Sequence, residues 1–255
     1  MKNLLFILLA IFVFGCTAHK ATWTPMQSKS LPGVLAVVEK RVNPYYWDEL
    51  KLPSRPFEGY FERYRTKCTG VLVRPDAVIT AEHCVDDLET YKVGIIYGCS
   101  DVYMDSNCKT SSVRLIVRNS SADIALLLLN NQLKGIKVVP ISTSRPKEGQ
   151  YLLIAGFGRK GMLVAEFAQV WTGSPLSYVT DYRFKTKPEK GDSGGPAYII
   201  NGNKLLVSGI TSEFKKVHKA SGKDYFSGFV HVDLSYHKKW IDQQYYRFNT
   251  VALRE

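Results

Sequence analysis

Short apolar segments separated by turn residues recur along this chain and predict β-strands. The segments are rich in Val, Ile, Leu and Tyr, and they lie at residues 71–73, 77–79, 91–98, 113–117, 198–200 and 205–207. The turn signal Arg74-Pro75-Asp76 separates the first two segments, and the hairpin signal Asn201-Gly202 lies between the last two. This pattern indicates a soluble, strand-rich domain.

The N-terminal residues have a different pattern, which predicts export. A cationic head containing Lys2 precedes an apolar run over 4–14, which is too short to span a bilayer as a helix and is typical of a signal peptide. Residues 13–16, Val-Phe-Gly-Cys, resemble the bacterial lipobox, in which the peptide is cut before the Cys and the Cys is acylated. The resemblance implies a signal peptide over 1–15 and a lipid on Cys16, followed by a polar tether to residue 30.

The alternative for this end of the chain is an ordinary secreted protein with an incidental Cys near its cleavage site. The residue after Cys16 is Thr17, not Asp, which in a double-membrane bacterium would imply sorting to the outer membrane, on its periplasmic face or the cell surface. The lipid on Cys16 would be the protein's sole attachment to a membrane.

Chain length and net charge limit the number of domains and the kinds of binding partner. The 255 residues are enough for one large all-β domain or two small ones. The formal net charge is +11, and removal of residues 1–15 takes away one cation and leaves +10. The cations are spread along the chain, without a basic helix carrying interleaved aromatics. This distribution favours a solvated surface, with no nucleic-acid partner.

The hexapeptide Gly191-Asp192-Ser193-Gly194-Gly195-Pro196 is the strongest candidate for chemistry. Glycines on both sides of an Asp-Ser pair permit a tight turn in which the amides of Gly191 and Ser193 converge on the position of an oxyanion. Ser193 is therefore a candidate nucleophile. Taken alone, the stretch could equally be a polar surface turn.

Two further segments favour a catalytic role for Ser193 over a polar surface turn. Thr80-Ala81-Glu82-His83-Cys84 supplies a candidate general base, and Asp123, at the start of the apolar run 124–129, supplies a carboxylate that could orient the His83 ring. A lone His in a chain is more often structural, and an Asp before an apolar run can be a solvent-facing strand cap. The chain order is His, Asp, Ser.

These segments together resemble the trypsin/chymotrypsin-like serine peptidases over residues 32–245. Further matching motifs are Cys68-Thr69-Gly70-Val71-Leu72, Gly156-Phe157-Gly158, Ser208-Gly209-Ile210-Thr211-Ser212 and Trp240-Ile241. The resemblance implies an all-β fold of two six-stranded antiparallel β-barrels with a C-terminal helix over 236–248, a peptidase domain over 31–248 and a tail over 249–255. It also implies a first strand at 31–38.

The resemblance assigns roles within the implied active site. Ser193 would be the nucleophile, His83 the general base and acid, and Asp123 its orienting partner, with the amides of Gly191 and Ser193 as the oxyanion hole. No cofactor or metal is needed. The expected substrate is a protein or peptide, and the expected state is a monomer.

The five cysteines fit an exported protein. Cys68 and Cys84 match the pair that bridges the strand before the catalytic His to the His turn in this family. Cys99 and Cys108 lie in one polar loop and can close on each other, whereas a metal site there lacks nearby His or Cys partners. Cys16 is the unpaired cysteine, and acylation would remove a stray thiol from an oxidising compartment.

The substrate pocket departs from the family pattern. Lys187 occupies the position six residues before the nucleophile, which in this family is the floor of the primary pocket. A cation there would favour Asp or Glu in the substrate, although Lys187 could instead point to solvent. Ser212 matches the residue that contacts the catalytic Asp, but Glu213-Phe214 replaces an aromatic-Gly pair. Phe214, together with Phe229, could therefore narrow the pocket.

The activation terminus is a second departure. The family usually begins with an Ile-Val-Gly-Gly-like sequence whose free amine pairs with the Asp before the nucleophile, and no such sequence precedes residue 31. The sequence therefore leaves open how Asp192 is held. It also leaves a competing class, a catalytically silent lipoprotein that keeps the fold and binds a protein partner.

Overall fold

The protein is built mainly of β-strands. The computed structural model describes residues 31–41, 63–158, 161–181, 189–218 and 225–251. The N-terminal half contains β1 (Val34–Arg41), β2 (Arg63–Arg74), β3 (Ala77–Thr80), β4 (Val93–Tyr97), β5 (Lys109–Asn119) and β6 (Ile124–Leu129). The C-terminal half contains β7 (Tyr151–Gly156), β8 (Val164–Gly173), β9 (Ser177–Asp181), β10 (Pro196–Asn201), β11 (Lys204–His218) and β12 (Tyr225–Asp233), followed by the helix α1 (Leu234–Val251).

Each half closes into a six-stranded antiparallel barrel. The order around the first barrel is β1-β2-β3-β6-β5-β4, and around the second β7-β8-β9-β12-β11-β10. The predicted pair of barrels with a C-terminal helix is confirmed.

The continuous apolar run at 124–129 is explained by burial on both faces of β6. Successive side chains of a strand point to opposite faces. Leu127 and Leu129 face the interior of the first barrel, whereas Leu126 and Leu128 belong to a second core shared with the other barrel and α1. Strands buried on both faces lose the alternation of polar and apolar residues.

Helix α1 follows β12, and Asp233 is its N-cap residue. The Asp233 carboxylate accepts hydrogen bonds from the Ser235 amide (2.9 Å) and the Ser235 hydroxyl (2.6 Å), as expected for an N-cap residue. Leu234 and Ile241 are buried against the shared core. The helix is longer at both ends than the predicted 236–248. Within the described residues, no helix has the length and apolar character needed to cross a membrane.

Several element boundaries differ from the sequence predictions. The first strand begins at Val34, because residues 32 and 33 form a turn, and β4 begins at Val93, because Thr90–Lys92 coil into a 3₁₀ helix. In the β10–β11 hairpin Asn201 pairs with Lys204, so the two turn residues are Gly202 and Asn203. The predicted turn was one residue too early, because a Gly at the first turn position suits a type II′ hairpin.

Candidate active site

Strand pairing in the first barrel brings His83 and Asp123 together. His83 lies in the 3₁₀ helix Glu82–Cys84, which follows β3, and Asp123 lies directly before β6. Strands β3 and β6 are neighbours, with Thr80 paired to Ala125. The end of β3 and the start of β6 therefore meet at one edge of the barrel.

The Asp123 carboxylate contacts both the ring and the backbone of His83. Nδ1 of His83 lies 3.0 Å from each carboxylate oxygen, and the His83 amide donates to Oδ1 at 3.0 Å. Because an ionised carboxylate can only accept, Nδ1 carries the hydrogen and Nε2 is left as the acceptor. This is the tautomer that a general base requires.

Asp123 is held by its backbone conformation and by Ser212. Its φ of 50° is in the left-handed region, and Asp123 is the one residue other than Gly with a positive φ in the described part of the chain. The Ser212 hydroxyl, from β11 of the second barrel, donates to Asp123 Oδ2. The carboxylate therefore links the two barrels, and the predicted contact between Ser212 and Asp123 is present.

The pKa values of the pair shift in opposite directions. The hydrogen bond to Asp123 is the largest influence on His83 and raises its pKa above the usual 6.5, against a smaller lowering by burial. For Asp123, burial acts to raise the pKa, but the hydrogen bonds from His83 and Ser212 outweigh it and lower the pKa overall. Asp123 therefore remains ionised beside the imidazole.

The turn that carries Ser193 is bonded to both barrels. The Ser193 carbonyl accepts a hydrogen bond from the Thr69 amide of β2 at 2.8 Å, and the Gly194 amide donates to the Thr211 carbonyl of β11 at 2.6 Å. Gly194 has a φ of 77°, and a Cβ at this position would collide with the Thr80 hydroxyl and the Thr69 carbonyl. The glycine is needed because the turn packs against the backbone leading to His83.

The two amides expected to form the oxyanion hole are unpaired within the described part of the chain. Neither the Gly191 amide nor the Ser193 amide has a hydrogen-bond acceptor there. Gly191 has a φ of 108°, and its carbonyl is turned toward the Thr69 hydroxyl, which donates to it at 2.8 Å. Free amides at this turn suit a site for a developing negative charge.

Between the described side chains of Ser193 and His83 there is no direct hydrogen bond. In catalytic sites without substrate, such contacts are often long and tighten when substrate binds. The placement of Ser193 beside the His83 turn rests on its backbone contacts with Thr69 and on the packing of Gly194 against Thr80.

The sequence left open how Asp192 is held, and the structure provides two backbone donors. The amide of Gly158 donates to Oδ1 at 3.1 Å, and the amide of Glu189 donates to Oδ2 at 2.8 Å. Burial raises the pKa of Asp192 to about 6, opposed in part by these two hydrogen bonds. The carboxyl group therefore anchors the turn that carries Ser193 to the second barrel.

Thr69, Gly158 and Glu189 contact the turn that carries Ser193, and the sequence analysis gave them no role. Thr69 contacts Ser193 and Gly191 and also accepts a hydrogen bond from the Phe157 amide at 2.9 Å. Thr69 and Gly158 lie in motifs that carried the family resemblance. The sequence therefore marked these two positions but did not indicate which contacts they make. No local pattern marked Glu189, because its contribution is a backbone amide.

The expected pocket residues differ in how far they are exposed to solvent. Ser212 is partly buried, Glu213 is exposed, and the Phe214 side chain is 46% exposed, whereas Phe229, its partner across β11 and β12, is 4% exposed. Phe229 is thus a buried residue of β12, the strand paired with the one that carries Phe214. Lys187 and Cys16 lie outside the described residues.

Both expected disulfides are present, with Cα–Cα distances of 6.0 Å for Cys68–Cys84 and 5.0 Å for Cys99–Cys108. The first bond fixes β2 to the turn containing His83. Cys68, Cys84 and His83 offer three potential metal-ligand atoms within 4.8 Å, but the two sulfur atoms are bonded to each other and are not thiolates. The cysteine pairing predicted from the sequence is confirmed.

Comparison with known proteins identifies similar sequences. A family model described as Trypsin matches residues 49–241. The chain is 31% identical to the cercarial protease of Schistosoma mansoni, over 55% of this chain and 69% of that protein. It is 25% identical to human granzyme H, over 76% and 87% of the two chains, and 29% identical to chymotrypsin-like elastase family member 1 of Macaca fascicularis, over 58% and 68%.

Proposed function

Because this chain belongs to the trypsin family and is a serine endopeptidase, we propose that it hydrolyses peptide bonds through an acyl-enzyme formed on Ser193. His83 serves as general base and acid, and Asp123 orients its ring. The observation that carries the proposal is the hydrogen-bonded series Ser212–Asp123–His83, beside a turn that presents Ser193.

In the first half of the reaction Ser193 Oγ attacks the carbonyl carbon of the scissile bond. Nε2 of His83 takes the hydroxyl proton, and the imidazolium is stabilised by Asp123. The negative charge on the former carbonyl oxygen is bound by the amides of Gly191 and Ser193. His83 then transfers its proton to the departing amine, and the C–N bond breaks to leave an ester on Ser193.

In the second half a water molecule takes the place of the amine. His83 removes a proton from the water as it attacks the ester, and returns that proton to Ser193 Oγ when the C–O bond breaks. The products are a carboxylic acid and the original hydroxyl. Apart from the substrate and water, these steps use only side chains and amides of this chain.

The direct test is labelling with a serine-directed fluorophosphonate. We expect the isolated protein to be labelled at Ser193, and His83→Ala to abolish labelling, because the hydroxyl is a weak nucleophile without its base. Mass spectrometry of peptides locates the adduct. A folded protein that stays unlabelled, before and after limited proteolysis, would instead support the silent binding lipoprotein.

The proposed substrate preference rests on Lys187. If this cation forms the floor of the primary pocket, it will attract Asp or Glu in the substrate and repel Lys and Arg, most strongly where water is excluded. We expect a mixed peptide library to be cleaved after acidic residues and Lys187→Asp to reverse that preference. Efficient cleavage after Arg by the wild-type protein, or an unchanged profile in the variant, would contradict this assignment.

We also propose that the protein is exported and held at a membrane through Cys16, as a monomer with its peptidase domain over 31–248. Two disulfides are consistent with export to an oxidising compartment. We expect a fatty-acid analogue to label the wild-type protein, and Cys16→Ser to release it from membranes. A wild-type protein that is unlabelled and membrane-free would leave residues 1–15 as a secretion signal alone.

A further inference from the structure

A buried histidine in the second barrel has no role in the reaction described above. His231 of β12 is completely buried. Its ring stacks on Tyr178 of β9, with centroids 5.1 Å apart, and lies 6.0 Å from the ring of Phe229. A polar ring in such a position is costly unless its nitrogens have hydrogen-bond partners.

Two threonine hydroxyls supply those partners. Nε2 of His231 lies 2.9 Å from the Thr180 hydroxyl of β9, and Nδ1 lies 3.4 Å from the Thr211 hydroxyl of β11. Both threonines are buried. A neutral imidazole can donate through one nitrogen and accept through the other, so two hydroxyls satisfy it without a charged partner. Burial lowers the pKa of His231 to about 3, and the ring is therefore neutral at physiological pH.

Thr211 connects this buried ring to the candidate active site. Its carbonyl accepts from the Gly194 amide at 2.6 Å, and its amide donates to the Gly195 carbonyl at 2.8 Å, so its backbone holds the two residues after Ser193. The next residue, Ser212, donates to Asp123. Thr211 thus contacts the nucleophile turn directly and the Asp123 carboxylate through its neighbour.

Thr211 lies directly before an irregularity in the register of β11. Thr211 is paired with His231, but the next pair joins Glu213 to Val230, so Ser212 is the additional residue of a β-bulge. Bulges redirect side chains and are frequent next to active sites. The pair of Thr211 with His231 is the last regular pair before this bulge, directly beside the point where Ser212 leaves the regular pairing.

We propose that His231 is a positioning residue, which acts through the Thr211 hydroxyl to fix both the Ser193 turn and the bulge that directs Ser212 to Asp123. The inference rests on the proposed peptidase function. It assigns a role in acylation to Thr211 and only a structural role to Thr180.

The two threonines provide a matched test. Thr211→Val and Thr180→Val each remove one buried hydroxyl beside His231 and keep nearly the same side-chain shape. We expect Thr211→Val to slow fluorophosphonate labelling of Ser193 by about tenfold, because small displacements of reacting groups are costly, while Thr180→Val stays within about twofold of the wild type. Tm, measured for both variants, should fall by similar amounts.

The replacement of His231 itself gives a second comparison. The amide of Asn reaches the position of the ring Nδ1, toward Thr211, whereas the amide of Gln reaches the position of Nε2, toward Thr180. We therefore expect His231→Asn to retain faster labelling than His231→Gln. Equal labelling rates in the two threonine variants, or faster labelling in His231→Gln, would overturn the inference and leave His231 with a structural role.

Crystal structures of the two threonine variants give a readout that does not need activity. Displacement of Ser212 Oγ from Asp123 in Thr211→Val but not in Thr180→Val supports the inference, and an unmoved Ser212 in both variants overturns it. An unlabelled wild-type protein would instead contradict the proposed function, so the two failures are distinguishable.

Discussion

Ser193→Ala is expected to lower kcat for peptide hydrolysis by about 10⁶-fold. The substitution removes the atom that would form the acyl-enzyme and leaves the turn intact, since the backbone of residue 193 makes the bond to Thr69. Activity would be measured on a peptide library with protein freshly purified from a host lacking other proteases. Ser174→Ala, at an exposed turn between β8 and β9, is the matched control and should retain full activity.

A double substitution tests whether Ser193 and His83 act together. When nucleophile and base act as one unit, Ser193→Ala combined with His83→Ala should be no slower than either single variant. If the two losses multiplied, the residues would be acting independently. Substantial hydrolysis by Ser193→Ala would place the nucleophile elsewhere in the chain.

Asp123→Asn is expected to have the second largest effect, a fall of about 10⁴-fold in kcat. The Asn amide can donate to Nδ1, which would favour the tautomer with its hydrogen on Nε2 and remove the acceptor that faces Ser193. The His83 amide donates to Oδ1, so the Asn oxygen would stay at that position, and the Ser212 hydroxyl would accept from the new amide group instead of donating to it. Asp87→Asn, which breaks an exposed ion pair with Lys67, is the matched control and should leave kcat nearly unchanged.

The same variant predicts the direction of a pH shift. His83 must be neutral to act as a base, so wild-type activity should fall as the pH drops through the His83 pKa, which Asp123 raises above 6.5. Without the carboxylate, the largest influence that raises this pKa is lost. The acid limb of kcat/KM for Asp123→Asn should therefore lie at lower pH than in the wild type. An acid limb that stays in place would mean that another group controls it.

Local sequence determined the parts of the protein that depend on neighbouring residues. Turn signals and apolar segments located β1, β3, β4, β5 and β10 to within a few residues, because strand propensity and turn chemistry are local properties. They marked only part of β2 and β11, and they did not predict β7, β8, β9 or β12. The motifs around His83, Asp123 and Ser193 identified the candidate triad, since tight turns and reactive groups need particular residue types at fixed spacing. The pairing of four cysteines followed from the family resemblance and from the short Cys99–Cys108 loop.

Only the tertiary structure decided which distant groups support those motifs. The contacts of Asp192 with the amides of Gly158 and Glu189 depend on how two separate segments meet, and a backbone donor leaves no mark on residue type. The role of Thr69 likewise depends on β2 of one barrel reaching the Ser193 turn of the other. His231 could not be distinguished from any other histidine until the closure of the second barrel buried it between Thr180 and Thr211, because burial and partner distances are properties of the closed sheet.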